Sequence, residues 1–567
     1  MRRCYLLIAL AILAVFGPNL IYLNQGALGG PYSDALKHIW SQWFVHDQIL
    51  NRGGLSLHTQ LVNFPTGGAF FSLDTVNALL GLPLRILFGS VATYNLILMG
   101  SLAAAAISGA WLTKQLSSEP YVPALGGIGF ALSAWVLCFP LASGVSETAV
   151  FWPLPLIILF GTKTWSHNGS TAPVLAGLLL TIQGAGCWSH GITAGLLLGG
   201  LAAIALTRDR TALKDTERLK RLAGMLLITA LTALPLYLAI SGTVSADDAV
   251  KARNLSLFHS APIGPLDVPE ANSMALVDFF LPGQWGRRVN AVGTEQLMYA
   301  AYPGFILLGL GALAIRRNRP HARTLALGVL VMATLSLGPR IYLDHARSIG
   351  GIPNPVYLLA YWLIPLVNAT IHSVDRFAVG LQLCLALLAA LGLSTVRMKL
   401  RPWIVAAVVA ELVLISPGPW PVPSVAVTAH PASEYIASQP QTGAVIDLPY
   451  LDSTAQGQWF SGDVFMQQTA HGRPIPFQLE GHGIETASEA MRENPFFRDL
   501  SNALTSARPI PADCRGADAL ETIGVSWVVW RPDSAAQPTQ QRVDKALRSC
   551  LGEPEQFDDR FVFSVGK

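Results

Sequence analysis

The sequence predicts a polytopic α-helical membrane protein with a soluble α/β domain at its C-terminal end, and three observations carry that prediction. Only 13% of the 567 residues are charged and 51% are hydrophobic, whereas a soluble domain carries about 25% charged residues. Apolar runs of bilayer-crossing length recur from residue 5 to residue 418, and the mean hydropathy is +0.43. Beyond residue 430 the pattern changes to short strand-like runs separated by polar helical stretches.

The chain opens with Met1-Arg2-Arg3 and an apolar run from Tyr5 to Leu23. It lacks a small-x-small cleavage site, so it reads as an uncleaved first span. Further spans are expected at 93 to 113, 121 to 139, 148 to 163, 171 to 186, 190 to 207, 222 to 241, 296 to 315, 324 to 338, 377 to 395 and 402 to 418, which makes about eleven transmembrane helices. Lys and Arg mark the cytoplasmic loops: Arg2 and Arg3, Lys114, Lys163, Arg208 to Arg221, Arg316 to Arg323 and Arg397 to Arg401. These loops alternate correctly when the N-terminus is cytoplasmic. The alternation holds only if two other apolar stretches, 75 to 89 with Pro83 and 355 to 370 with Pro365, lie at or dip into the outer face without crossing.

The polar residues then gather outside, in the first loop (24 to about 92), the turn 140 to 147, the loop 242 to 295, the segment 340 to 376 and everything after 418. The expected organisation is a transmembrane domain over 1–418, a Pro-rich linker over 419–429 and a periplasmic α/β domain over 430–567. Strands are expected at Ala444 to Leu448, Val525 to Trp530 and Arg560 to Val565. About 140 residues suffice for one core.

A net charge of +3, carried in short loops, is too small to imply a nucleic-acid partner, and none is expected. Cys4, Cys138, Cys187 and Cys384 sit in or beside apolar segments and read as small buried hydrophobes. Cys514 and Cys550 fall in the polar C-terminal region; if that region is outside the cytoplasm, an oxidising compartment favours a disulfide over two free thiols. No Cys/His spacing suggests zinc.

One loop stands out. Ser33-Asp34-Ala35-Leu36-Lys37-His38-Ile39-Trp40 follows the first span directly, with Trp43 close behind. Asn63-Phe64-Pro65-Thr66-Gly67, a surface helix ending at Gly89 and Tyr94-Asn95-Leu96 come next. Glu147 lies in the second outer turn, followed by Gly338-Pro339 and by Ile371-His372-Ser373-Val374-Asp375-Arg376-Phe377 at the start of a span. This order resembles the GT-C class of membrane glycosyltransferases, which use polyprenyl-phosphate-linked sugars. His372 and Val374 depart from the Arg and Pro of many relatives. Gln468-Thr469-Ala470-His471-Gly472-Arg473-Pro474-Ile475 and Ile523 to Val529 resemble the C-terminal domain of bacterial relatives.

The resemblance implies that a loop carboxylate at the outer membrane surface acts as general base or metal ligand while the lipid phosphate departs. Asp34 is the candidate base, tethered near the headgroups; Ser33 and Asp34 are equally good N-caps for an amphipathic helix from about Ala35 to Leu50, and the two roles are compatible. Glu147 is the second carboxylate, either orienting the acceptor, or holding a divalent cation (Mg²⁺ or Mn²⁺) with Asp34, or simply solvated in its turn. Arg376, flanked by Asp375 and with His372 nearby, is the candidate phosphate contact, against a reading as headgroup snorkelling. Lys37 and His38 lie within a helical turn of Asp34, and Arg287 and Arg288 sit on a loop long enough to fold over the site.

Three other polar residues are weighed between two readings: Asp74 as a helix cap against a further functional carboxylate, His190 as a satisfied turn histidine against a sugar contact with Trp188 stacking, and Glu411 as an acid paired across the bundle against a functional intramembrane acid. Asn168-Gly169-Ser170 matches a glycosylation sequon but is expected on the cytoplasmic side.

The resulting expectation is a multi-pass glycosyltransferase of the bacterial inner membrane. It would transfer a sugar, with inversion, from a polyprenyl-phosphate donor to an outer-face glycan, lipid or protein, among membrane lipids. A transporter or lipid flippase and a non-catalytic GT-C-like protein are the alternatives. Transport would place ionisable residues near the midplane, and here nearly all lie at the outer ends of spans.

Overall fold

Five helical stretches are long and apolar enough to cross a bilayer among the residues that a computed structural model of the protein describes: Arg2–Tyr22, Thr75–Leu116, Val122–Ala142, Trp188–Arg208 and Val374–Leu393. The described residues are 1–30, 33–54, 58–69, 74–166, 171–235, 238, 266, 270, 272–290, 297–344, 346–363, 373–449, 451–452, 459–460, 462–477, 488–505 and 514–566. Ala172–Gly186, Phe305–Arg316 and Ala322–Ser336 are shorter apolar helices. Other expected spans fall on Pro153–Trp165, on a helical run over 216–235 and on Arg401–Ala410.

The bundle is built around two helices that are buried on all sides, Val122–Ala131 and Ala378–Leu393. Small residues bring neighbouring backbones together, as helix packing in lipid requires. A Cβ on Gly127 would stand 2.1 Å from the Ala106 carbonyl oxygen, so only glycine fits there.

The expected surface helix and second span form one run, Thr75–Leu116, broken at Gly89, whose φ of 80° leaves helical space. Before the break, Leu79, Leu80, Ile86, Leu87 and Phe88 remain exposed, the apolar face that an interfacial helix presents. The second interfacial stretch is helical over Pro355–Leu363. Leu359, Trp362 and Leu363 are exposed on it.

Two sequence expectations need correction. The span expected from 296 begins only at Phe305, because Leu297–Tyr299 pairs antiparallel with Arg288–Asn290. Apolarity alone does not separate a hairpin strand from the helix that follows it. The helix Ala35–Asn51, expected as a solvated amphipathic element, is buried from Ala35 to His46.

The C-terminal region covers it. Trp40 Nε1 donates to Gln468 Oε1 at 2.8 Å, and the Trp40 ring stacks on Phe44 at 5.4 Å and meets Phe465 edge-on at 5.6 Å. The same region is laced to the first loop through backbone bonds: Asn63 N to Phe477 O (3.0 Å), Phe64 N to Ile475 O (3.1 Å) and Ile475 N to Leu61 O (2.9 Å). Its sheet has the spatial order Glu555–Phe557, Arg560–Ser564, Val525–Trp530, Ala444–Leu448. The last two strands are parallel and the other pairs antiparallel. Cys514 and Cys550 are disulfide-bonded.

Candidate functional site

The site forms where the segment after the first helix meets two turns. Gly26–Leu28 pairs antiparallel with Ser424–Ala426, so the chain leaving the last helix returns to the exit of the first. Asn95 fixes this segment from the broken helix: its Oδ1 accepts from Leu28 N (2.9 Å), and its Nδ2 donates to Leu23 O (2.9 Å) and Gly26 O (2.8 Å). Neighbouring Tyr94 donates to the carbonyls of Leu28 and Gly144.

Gly144 has φ of +67°, and a Cβ there would lie 2.6 Å from Ala35 N. A side chain would therefore be excluded twice, by conformation and by space. The absence of one lets the turn Ser143–Glu147 press against the start of helix Ala35–Asn51, where Asp34 N donates to Ser143 O at 2.9 Å.

Six charged side chains gather there. Lys37 Nζ lies 3.0 Å from Asp34 Oδ1. His38 Nε2 lies 2.9 Å from Glu147 Oε2, and His38 Nδ1 lies 3.9 Å from Asp74 Oδ2. Arg376 Nη2 reaches Glu147 Oε1 at 3.4 Å. Asp74 accepts from Gln42 Nε2 (2.6 Å), Ser146 Oγ (2.7 Å) and Asn77 Nδ2 (2.7 Å), and Asn77 also donates to Ser146 O. Three elements thus converge on one imidazole.

Burial opposes a charge on His38, but the carboxylates of Glu147, Asp74 and Asp34 outweigh it and hold its pKa above the ordinary value. Burial likewise raises Asp74, only partly offset by His38, Gln42 and Ser146. Glu147 goes the other way: despite burial, His38 and Arg376 bring it down to about 2. The cluster is nearly closed to water but not sealed. His38 is 1% exposed at its side chain, against 14% for Glu147 and 22% for Arg376.

Behind Arg376 the turn at Cys187 adds further groups. Arg376 Nη1 lies 3.8 Å from Cys187 Sγ, and the guanidinium sits over the Phe139 ring at 5.4 Å. Burial raises the Cys187 thiol, and His190 and Arg376 more than reverse this, to about 7. His190 stands edge-on to Trp135 at 5.5 Å, and Trp135 Nε1 donates to Asp375 Oδ2 at 3.0 Å.

The structure thus gathers Asp34, Lys37, His38, Glu147 and Arg376, and it places Asp375 one residue away on Trp135. Arg287 is engaged elsewhere, donating from Nε to Pro417 O at 2.8 Å. His372 lies outside the described residues.

Neither Asp34 nor Asp74 makes a side-chain cap bond to its helix. The capping reading of Asp74 is replaced by a place in the cluster. One cue was present in sequence: Gln42 follows His38 by four residues, and Asn77 follows Asp74 by three, so each pair shares a helix face.

A divalent cation does not fit this donor set. The Asp34 carboxylate faces an ammonium, Glu147 faces an imidazole and a guanidinium, and among the described residues no group of three or more His, Cys, Asp or Glu could hold a metal ion. Glu411, the acid within the apolar run, is also occupied. It accepts from Tyr302 Oη (2.6 Å), Phe305 N (2.5 Å) and Ile306 N (3.0 Å), and so serves the N-terminus of helix Phe305–Arg316.

No family model matches the chain, and no curated protein matches it in sequence. Solved structures do. Arabinofuranosyltransferase AftD from Mycobacteria aligns with all of this chain and 42% of its own at a TM-score of 0.54 and 17% identity; the chain therefore spans less than half of AftD. The archaeal oligosaccharyltransferase AglB from Archaeoglobus fulgidus, solved with an inhibitory peptide and a dolichol-phosphate, aligns with 93% of this chain and 69% of its own at a TM-score of 0.48 and 13% identity, a likeness too slight to carry an argument. The chain has the fold of the GT-C class of membrane glycosyltransferases.

Proposed function

We propose that the protein is an inverting GT-C glycosyltransferase of the bacterial inner membrane. It moves one sugar from a polyprenyl-phosphate donor to a glycan, lipid or protein acceptor at the outer face. The observation that carries this reading is the convergence, in a GT-C fold, of a carboxylate just after the first membrane helix with Glu147, His38 and Arg376. We place the N-terminus in the cytoplasm, and the region after 418, which lies on helix Ala35–Asn51, in the periplasm, on the distribution of basic loops. About eleven helices cross in this arrangement.

In the proposed reaction Asp34 takes the proton of the acceptor hydroxyl as its oxygen attacks the anomeric carbon from the face opposite the phosphate. The bond from the anomeric carbon to the phosphate oxygen breaks, and the lipid phosphate leaves with the bonding pair. Arg376 stands where that charge develops. Lys37 holds the Asp34 carboxylate in place at 3.0 Å. His38, gripped between Glu147 and Asp74, fixes the Glu147 oxygen that orients the acceptor. The C-terminal region covers this site and offers the acceptor a wall.

The test is a transfer assay in membranes with radiolabelled polyprenyl-phosphate sugars. Turnover in the wild type and its loss in Asp34→Asn is the expected result. Turnover unaffected by Asp34→Asn removes the assigned base, and a reporter fusion that maps residue 34 to the cytoplasm removes the whole reading. Glu411, the residue best suited to a transport pathway, is committed to a helix N-terminus, which weighs against the transporter reading.

A further inference from the structure

Among the described residues, three buried nitrogen atoms beside the proposed reaction centre meet no oxygen or nitrogen partner. They are Nδ1 and Nε2 of His190 and Nε of Arg376. His190 is 0% exposed. A buried polar atom left unmet is costly, and folded proteins leave few of them. A turn histidine is ordinarily satisfied, and this one falls short of that expectation.

The arrangement is rigid. Trp135 packs edge-on against the imidazole and is itself pinned through Nε1 to Asp375, and His190 N is bonded to Cys187 O at 3.1 Å. The ring is therefore held in place. The Cys187 thiol engages the imidazole from one side, and a ring has two nitrogen atoms, so one remains for a ligand. Arg376, 3.8 Å from the same sulfur, keeps part of its side chain open to the outside. The carboxylate that it meets, Glu147, is shared with His38 on its other side.

We propose that His190 and Arg376 form the seat for the phosphate of the lipid-linked donor, with His190 donating a ring N–H to one phosphate oxygen and Arg376 binding another. This rests on the glycosyl-transfer reading. A phosphate suits the pair better than a carboxylate, because its oxygens point in several directions and can meet donors on two separate elements, whereas a carboxylate offers one plane. The seat also orients the donor. The phosphate lies at the Cys187 turn, which leaves the anomeric carbon on the side of Glu147 and Asp34.

Calorimetric titration of the full chain in detergent micelles, with farnesyl phosphate, farnesol and inorganic phosphate, tests this. The wild type should bind farnesyl phosphate at least about tenfold more tightly than farnesol. His190→Leu should lose about tenfold for farnesyl phosphate with no change for farnesol, and His190→Gln, which keeps an N–H donor, should recover part of the loss. Equal binding of farnesyl phosphate and farnesol by the wild type overturns the seat. So does a His190→Leu protein of wild-type melting temperature with unchanged farnesyl phosphate affinity. Inorganic phosphate binding as tightly as farnesyl phosphate overturns the assignment to a lipid donor. Should His190→Leu fail to fold, the wild-type comparison and His190→Gln still decide. A retained preference for farnesyl phosphate without turnover on any lipid-linked sugar would sink the transferase reading alone; an active His190→Leu enzyme with an unchanged donor KM would sink the seat alone.

Discussion

Two buried charge clusters in this molecule, one of four ionic groups and one of six, serve different ends. In the C-terminal region Arg531 meets Asp447 at 3.0 Å and Asp463 at 3.2 Å, and Arg560 meets Asp463 at 2.7 Å. These four residues tie three strands of the sheet to helix Asp463–His471. At the end of the helical bundle, His38 stands between Glu147 and Asp74, with Lys37, Asp34 and Arg376 around them. The first cluster joins guanidinium to carboxylate, and an arginine does not give up its proton in a protein. The second is centred on an imidazole whose ordinary pKa is near neutrality. Buried charge by itself therefore does not mark function; a buried group able to change charge, with partially open partners, does.

The sharpest way to break this contrast is Asp34→Asn. Transfer should fall by about 10²–10⁴-fold, the usual contribution of a general base, with donor binding retained, as radiolabelled assay and titration would show. Arg531→Met attacks the other cluster. It should destabilise the C-terminal region by about 3–5 kcal/mol, because Asp447 is left buried and unpaired, while turnover per folded molecule stays the same. Denaturant unfolding followed by Trp fluorescence would check the first part, and an activity loss exceeding the loss of folded protein would contradict the second.

Opening the disulfide with Cys514→Ser and Cys550→Ser should have a similar or slightly smaller effect. Its sequence separation of 36 corresponds to about 3–4 kcal/mol of lost constraint on the unfolded chain, measurable as a lower denaturant midpoint.

The smallest effects are those of pH, and their sign separates two members of the bundle-end cluster. Glu147 has its pKa lowered from 4.5 to about 2, so the stability that it contributes is complete above 4.5 and lost as pH falls toward 2. His38 has its pKa raised above 6.5; its contribution is complete below 6.5 and lost as pH rises through the raised value. The gap in melting temperature between wild type and Glu147→Gln should therefore shrink on acidification below 4.5. The gap between wild type and His38→Gln should shrink on the alkaline side. A gap that stays constant from pH 5 to pH 9 in His38→Gln would remove the imidazole from the centre of the cluster.

Much of this fold was legible in the chain. The strands Ala444–Leu448 and Val525–Trp530 follow from β-branched and aromatic runs with turn signals on either side, and the break at Gly89 follows from a glycine placed between a surface helix and a span. Asp34 and Glu147 stood out as acids at the ends of apolar runs, where a charge is costly. The start of helix Phe305–Arg316 was not legible, because the apolar residues of the hairpin strand before it continue the same hydropathy signal. Nor was the burial of helix Ala35–Asn51: its polar residues meet partners from distant segments, and a window of neighbouring residues cannot register them.

By itself the sequence determined class and local form. Composition, apolar periodicity and basic loops depend on the chemistry of each residue and its near neighbours, and these are fixed before folding. Only the tertiary structure decided which charges meet. Gly144, lacking a side chain, lets Glu147 approach His38; Asp74, at the N-cap of its helix, turns its carboxylate to the same imidazole; and His190 is closed in by Trp135 beside Cys187. The energy of a buried charge depends on the few ångströms around it, and that distance is set by how remote segments pack.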